Sequence, residues 1–201
     1  MKKFVFIIII LLPVLSLAQQ PKMDIKLFAG VNTSTFVYKV EDVEPDILAG
    51  WQAGGGFRIS KKKAFVEIDF TYIEYALSFL LIEETDSLPA ETFDVRIRAF
   101  EIPLTIGYVP VKTPVFKWYL YGGLVNRFSL SGRFTYNGET EKFKPSDLQL
   151  HTYNLGARFG TQIDIAMFNF DFNYTIGVTN ALKEKIRTNS HALQLSVGIL
   201  F

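Results

Sequence analysis

Few residues of this 201-residue chain are equipped for catalysis. His151 and His191 are its two histidines, and Ser190 adjoins the second. A serine nucleophile with an imidazole base and an orienting acid would transfer or cleave an ester. No nucleophile motif surrounds Ser190, so a solvated histidine is the simpler expectation. Cysteine is absent, which excludes structural disulfides and a lipidated N-terminus. The other candidates are charges: Lys26, Arg58, Arg127 and Arg158 against Glu67, Asp69, Glu101, Asp164 and Asp171. Enclosed together they would form a salt-bridge network, because a buried charge must be paired or neutralised. Lining an open passage, they would form a proton or ion path. No cofactor and no metal site is expected, since no ligand spacing is diagnostic.

The elements that carry these charges decide between the two outcomes. Eight segments alternate with period two, at about 24–36, 47–60, 64–79, 93–109, 115–135, 149–164, 167–179 and 190–201, as strands do. Phe168, Phe170, Phe172, Tyr174, Ile176 and Val178 share one face against Asn169, Asp171, Asn173 and Thr175. Trp51, Ala53, Phe57 and Ile59 oppose Gln52, Gly54, Gly56 and Arg58 in the same way. The apolar face is large and aromatic, and the other mixes glycine with charges of both signs. Such a pattern is inside-out for a soluble sandwich and fits a wall wetted by lipid. The expected fold is all-β, an eight-stranded antiparallel up-and-down transmembrane β-barrel with a narrow, plugged lumen.

Connector lengths point the same way. Links near 60–63, 110–114 and 165–166 are short, while those at about 37–46, 80–92, 136–148 and 180–189 are longer and polar. Short turns at one end and long loops at the other suit a barrel with periplasmic termini. The first two long links are acidic, through Glu41, Asp42, Glu44 and Asp46, then Glu83, Glu84, Asp86 and Glu91. The last carries Lys183, Lys185 and Arg187. Pro103 lacks a ladder donor, so it should mark a bulge or a break in pairing.

The N-terminus reads as an address. Met1-Lys2-Lys3 precedes an apolar run to Leu17, and Ser16-Leu17-Ala18 offers small residues for cleavage before Gln19. Residues 1–18 are therefore expected to leave, with 19–201 forming the barrel. Losing Lys2 and Lys3 leaves 19 basic side chains against 20 acidic, which makes no electrostatic case for nucleic acid. The closing segment places Leu193, Leu195, Val197, Ile199 and Phe201 on one face, with Gln194, Ser196 and Gly198 between them. That face is expected to meet lipid, and the strand to pair with residues near 25–35.

Phe100-Glu101-Ile102-Pro103-Leu104-Thr105-Ile106-Gly107-Tyr108 resembles a segment of the PorT-like small outer-membrane barrels of Bacteroidota. Gly30-Val31-Asn32-Thr33-Ser34, Tyr119-Leu120-Tyr121-Gly122-Gly123 and Tyr174-Thr175-Ile176-Gly177-Val178-Thr179-Asn180 resemble that family too, in the same order. The resemblance implies the cell outer membrane, contact with lipid and lipopolysaccharide, and a terminal aromatic read by the barrel-assembly machinery. It also implies possible envelope protein partners, and a place in a secretion or gliding apparatus as an alternative role. The chain is expected to be a non-enzymatic structural, binding or envelope-assembly component. A lipid A- or phospholipid-modifying enzyme built on the two histidines is the third reading.

Overall fold

The computed structural model describes residues 21–37, 43–46, 48–81, 91–136, 139–144, 151–179 and 189–201. The expected signal segment and most of the charged loop residues lie outside them. Ten strands follow in chain order: β1 (Lys22–Val37), β2 (Val43–Asp46), β3 (Ala49–Lys61), β4 (Ala64–Leu81) and β5 (Glu91–Lys112), then β6 (Phe116–Tyr136), β7 (Glu139–Phe143), β8 (Tyr153–Ile165), β9 (Phe168–Gly177) and β10 (Asn189–Leu200). Among the described residues there is no helix. Eight of the strands close a ring in the order β1, β3, β4, β5, β6, β8, β9, β10 and back to β1, every neighbour antiparallel. Closure removes the exposed sheet edges that an open wall would present.

The closing seam joins β1 to β10 from Lys26 opposite Leu200 to Val37 opposite Asn189. Phe201 extends it, its amide donating to the Ile25 carbonyl at 2.9 Å and its carbonyl accepting from the Ile25 amide at 3.1 Å. At the turn end, Lys62-Lys63 and Ala166-Met167 reverse the chain in two residues. Lys62 and Ala166 lie at φ 53° and 54°, the left-handed region that lets a tight hairpin follow the strand twist. The third turn, Thr113 to Val115, is held by Thr113 Oγ1, which accepts from the Phe116 amide at 2.9 Å.

The structure corrects one expectation and decides between the two alternatives of another. The links expected at 37–46 and 136–148 are not wholly loop, because β2 pairs with the far end of β4 and β7 with the far end of β6. Long strands that outrun their neighbours leave unpaired backbone, which a short returning segment satisfies. Pro103 marks no bulge. It interrupts the β4–β5 ladder at Ile102-Pro103, and the same register resumes on both sides. The shifts in register fall instead between β5 and β6, at Arg98/Ala99 and at Tyr108/Val111.

Candidate functional site

Strand alternation turns the even positions of β1, β3, β8 and β10 inward, and the odd positions of β4, β5, β6 and β9. This brings together every charge expected to face inward. Lys26, Arg58, Glu67, Asp69, Glu101, Arg158, Asp164 and Asp171 are all buried. Arg127 keeps 14% of its side-chain exposure at the loop end.

Two networks share the lumen. In the turn half, Arg58 donates through Nε to Glu67 at 2.5 Å, through Nη1 to Asp164 at 2.9 Å, and through Nη2 to Gln162. Lys26 bridges Glu67 and, at 3.3 Å, Asp69. Neutral donors add to the carboxylates: Tyr119 and Asn169 on Asp164, at 2.6 and 2.7 Å, and Tyr121 on Asp171 at 2.6 Å. Gln162 reaches both Glu67 and Asp171. In the loop half, Glu101 accepts from Arg127 at 2.7 Å, Arg158 at 2.8 Å and the Tyr75 hydroxyl. Formal charge is therefore uneven along the axis. Two buried cations face five buried carboxylates in the turn half, one of which, Asp24, pairs at 2.7 Å with the exposed Lys22, and two arginines face one carboxylate in the loop half.

Glycine makes the crowding possible. A Cβ on Gly56 would stand 1.9 Å from Asp69 Oδ1, and one on Gly160 would stand 2.5 Å from the Tyr121 ring. The lumen is not polar throughout, as alternation alone suggests. Phe65, Val109, Tyr119 and Tyr121 form an apolar floor at the turn end, and the Arg58 guanidinium lies 4.4 Å from the Tyr119 ring centre. Ile73, Tyr75, Ala99 and Ala192 form a second cluster, with Arg127 4.4 Å from the Tyr75 ring.

The candidate catalytic residues meet at the loop end without making a catalytic set. Ser190, His191 and His151 line one small cavity of about 40 Å³ with Tyr75, Arg127 and Asn154. His191 Nδ1 lies 2.6 Å from the Tyr174 hydroxyl on the outer wall, where the two rings stack. Ser190 Oγ accepts from Arg127 at 3.5 Å. The structure records no hydrogen bond between Ser190 and either imidazole among the described residues.

The outer wall is inverted relative to a soluble protein. Leu27, Phe57, Phe70, Leu104, Ile106, Leu124, Leu195 and Val197 are all exposed, and buried polar side chains fill the interior. Aromatic residues run along the whole band, with Trp51 and Tyr72 5.5 Å apart on the loop side, Phe70, Phe159 and Phe172 in mid-strand, and Tyr108, Phe116, Trp118 and Phe168 near the turns. An apolar, aromatic exterior on a closed ring with a polar interior is the build of a barrel whose solvent is lipid. The model of the family described as "Outer membrane protein beta-barrel domain" matches residues 17–183.

The chain belongs to that family.

The chain is also similar, at low sequence identity, to solved structures of outer-membrane proteins. Ail, the attachment invasion locus protein of Yersinia pestis, is 13% identical over 90% of this chain and 99% of its own, with a TM-score of 0.48. Neisserial surface protein A is 12% identical over 91% and 100%, with a TM-score of 0.49. OprG of Pseudomonas aeruginosa is 11% identical over 90% and 97%, with a TM-score of 0.46. No curated protein matches the sequence.

This outer-membrane barrel protein also carries one cluster that alternation within single strands does not disclose. Glu74 of β4 faces outward, opposite Trp51 and Arg98 in the ladder. Its carboxylate accepts from Arg98 at 2.9 Å, Arg133 at 3.0 Å and Arg96 at 3.2 Å. Arg96 and Arg98 share a face with Phe100, Ile102 and Leu104. The register shift at Arg98/Ala99, where Leu130 is the extra residue on β6, brings Arg133 level with Arg96. The run Asp94, Arg96, Arg98 alternating with Val95, Ile97 and Ala99 was the available signal.

Proposed function

We propose that this outer-membrane barrel protein is a closed, non-catalytic envelope component. In this reading its lumen is a plug, its outward face meets lipid, and its loops form a binding or assembly surface. The long-loop end faces outside, and both mature termini lie in the periplasm. The observation that carries the reading is the packed lumen: Arg58, Glu67, Asp164, Gln162 and Lys26 bond to one another across it. Above them Glu101 is held between Arg127 and Arg158. A path for ions would need these pairs to part, which costs several kcal/mol per uncompensated buried charge.

The refolded protein is therefore expected to show no stable conductance in planar bilayers. Discrete single-channel steps would reject the plug.

Absence of catalysis is supported by the Tyr174–His191 contact, which engages Nδ1 of the His191 imidazole with a hydroxyl of the outer wall rather than with Ser190. Cells carrying His191→Ala or Ser190→Ala should keep the lipid A composition of the parent. A mass spectrum in which lipid A changes with either substitution would restore the enzyme reading.

A further inference from the structure

On the outer wall, three arginines converge on one carboxylate. Glu74 is 3% exposed in its side chain, whereas Arg96, Arg98 and Arg133 keep 44%, 38% and 36%. One carboxylate cannot neutralise three guanidiniums, and each retains N–H donors beyond the one it spends on Glu74. Arg133 Nε is buried and has no hydrogen-bond partner among the described residues. Lys142 of β7 stands opposite Arg133 in the ladder and adds a fourth cation. Asp94, on the same face, is engaged in contacts of its own. Four cations against two carboxylates leave a formal excess of two positive charges.

Position along the wall narrows the occupant. Immediately toward the turn end the same face continues as Phe100, Ile102 and Leu104 on β5 and as Tyr72 and Phe70 on β4. A free anion would find the cations but have no use for the apolar strip. An amphiphile with an anionic head and hydrocarbon tails fits both. Guanidinium forks pair bidentately with phosphate oxygens, which Lys cannot do as well. Glu74 gathers three mutually repelling arginines at one point and leaves their outer edges free.

We propose that Arg96, Arg98 and Arg133, organised by Glu74, bind the phosphate of the phosphorylated glycolipid of the outer leaflet, whose acyl chains lie along the Phe100–Leu104 strip. The proposal rests on the reading that the long-loop end faces outside.

The test uses the folded mature protein in detergent, with bisphosphorylated lipid A titrated and counted by native mass spectrometry. Arg96→Gln, Arg98→Gln and Arg133→Gln combined should weaken retention at least about 10-fold, since each charge-assisted pair removed is individually strong. Dephosphorylated lipid A should bind the parent protein no better than it binds the triple variant. A heat-modifiable gel shift verifies that the variant is folded. Should it not fold, the single Arg133→Gln and Arg96→Gln variants should each weaken retention by about 3-fold. Unchanged retention in these variants, equal binding of dephosphorylated lipid, or full displacement by excess inorganic phosphate would each overturn the assignment.

Orientation is read separately. Lys142→Cys, in a chain with no native cysteine, should react with an impermeant maleimide on intact cells. If lipid A binds yet Lys142→Cys stays unlabelled, the orientation is wrong, and the outer-leaflet glycolipid is overturned as occupant. If labelling succeeds and lipid A does not bind, the orientation stands and the site alone fails.

Discussion

Arg58→Ala should destabilise the folded barrel by about 3–5 kcal/mol, the cost of removing one partner from a buried ion pair. Arg58 is fully buried and is the donor to Glu67, Asp164 and Gln162 at once. Its loss leaves two carboxylates from different strands facing each other in a lumen that already holds more anions than cations. It also removes the cation resting on Tyr119 and Phe65. The network itself need not be worth much against an apolar isostere, so the effect lies in breaking it unevenly. Arg58→Met combined with Glu67→Gln and Asp164→Asn should therefore recover most of what Arg58→Ala loses. Urea titration of the detergent-folded protein, read by the folded and unfolded gel species, measures both. A loss below about 1 kcal/mol for Arg58→Ala, the scale of an exposed pair, would mean that the lumen is open to water.

Val197→Arg probes the other side of the wall. Val197 lies on the lipid-facing side of β10 between Leu195 and Ile199, opposite Ala29 on one side and Phe170 on the other, and it is 47% exposed. An arginine at the bilayer midplane should cost about 2–4 kcal/mol, and near an interface about 0–1 kcal/mol. Val178, just beyond β9 toward the loops, is 59% exposed and supplies the comparison. Val197→Arg should lower the folded fraction in lipid vesicles, and Val178→Arg should barely move it. Equal effects at the two positions would show that the apolar band is not immersed in lipid.

Much of this arrangement can be read from period two alone. Val66, Ile68, Phe70 and Tyr72 against Glu67, Asp69 and Thr71 state both the strand and its inside-out character, because residue type follows the solvent on each face. The alternation of short and long links gives the up-and-down order for the same reason. What cannot be read depends on register between strands. Glu74 and Arg98 become neighbours only through the β4–β5 ladder, and Arg133 joins them only because β6 carries one extra residue at Leu130. The apolar floor is hidden likewise, since Phe65 and Val109 share inward parity with Glu67 and Glu101 and meet Tyr119 only across the closed ring. Pro103 is legible as a disruption but not as its kind: a missing donor can be absorbed by an interrupted ladder with no inserted residue.

The lumen pairs have a consequence for how the barrel is built. Lys26 and Glu67 are separated by 41 positions, Gln162 and Glu67 by 95, and Arg58 and Asp164 by 106. Hairpins made of neighbouring strands can satisfy Arg58 with Glu67, but its second and third partners arrive only with β8. A sheet that has not yet wrapped round therefore carries naked charges on the face opposite its greasy one. Such an intermediate is at home neither in water nor in lipid. The β8–β9 hairpin, by delivering Asp164, Gln162 and Asp171 together, pairs these charges in one step. The buried ions thus act less as glue than as a checkpoint, admitting only chains whose β8–β9 hairpin has met β3 and β4 across the ring.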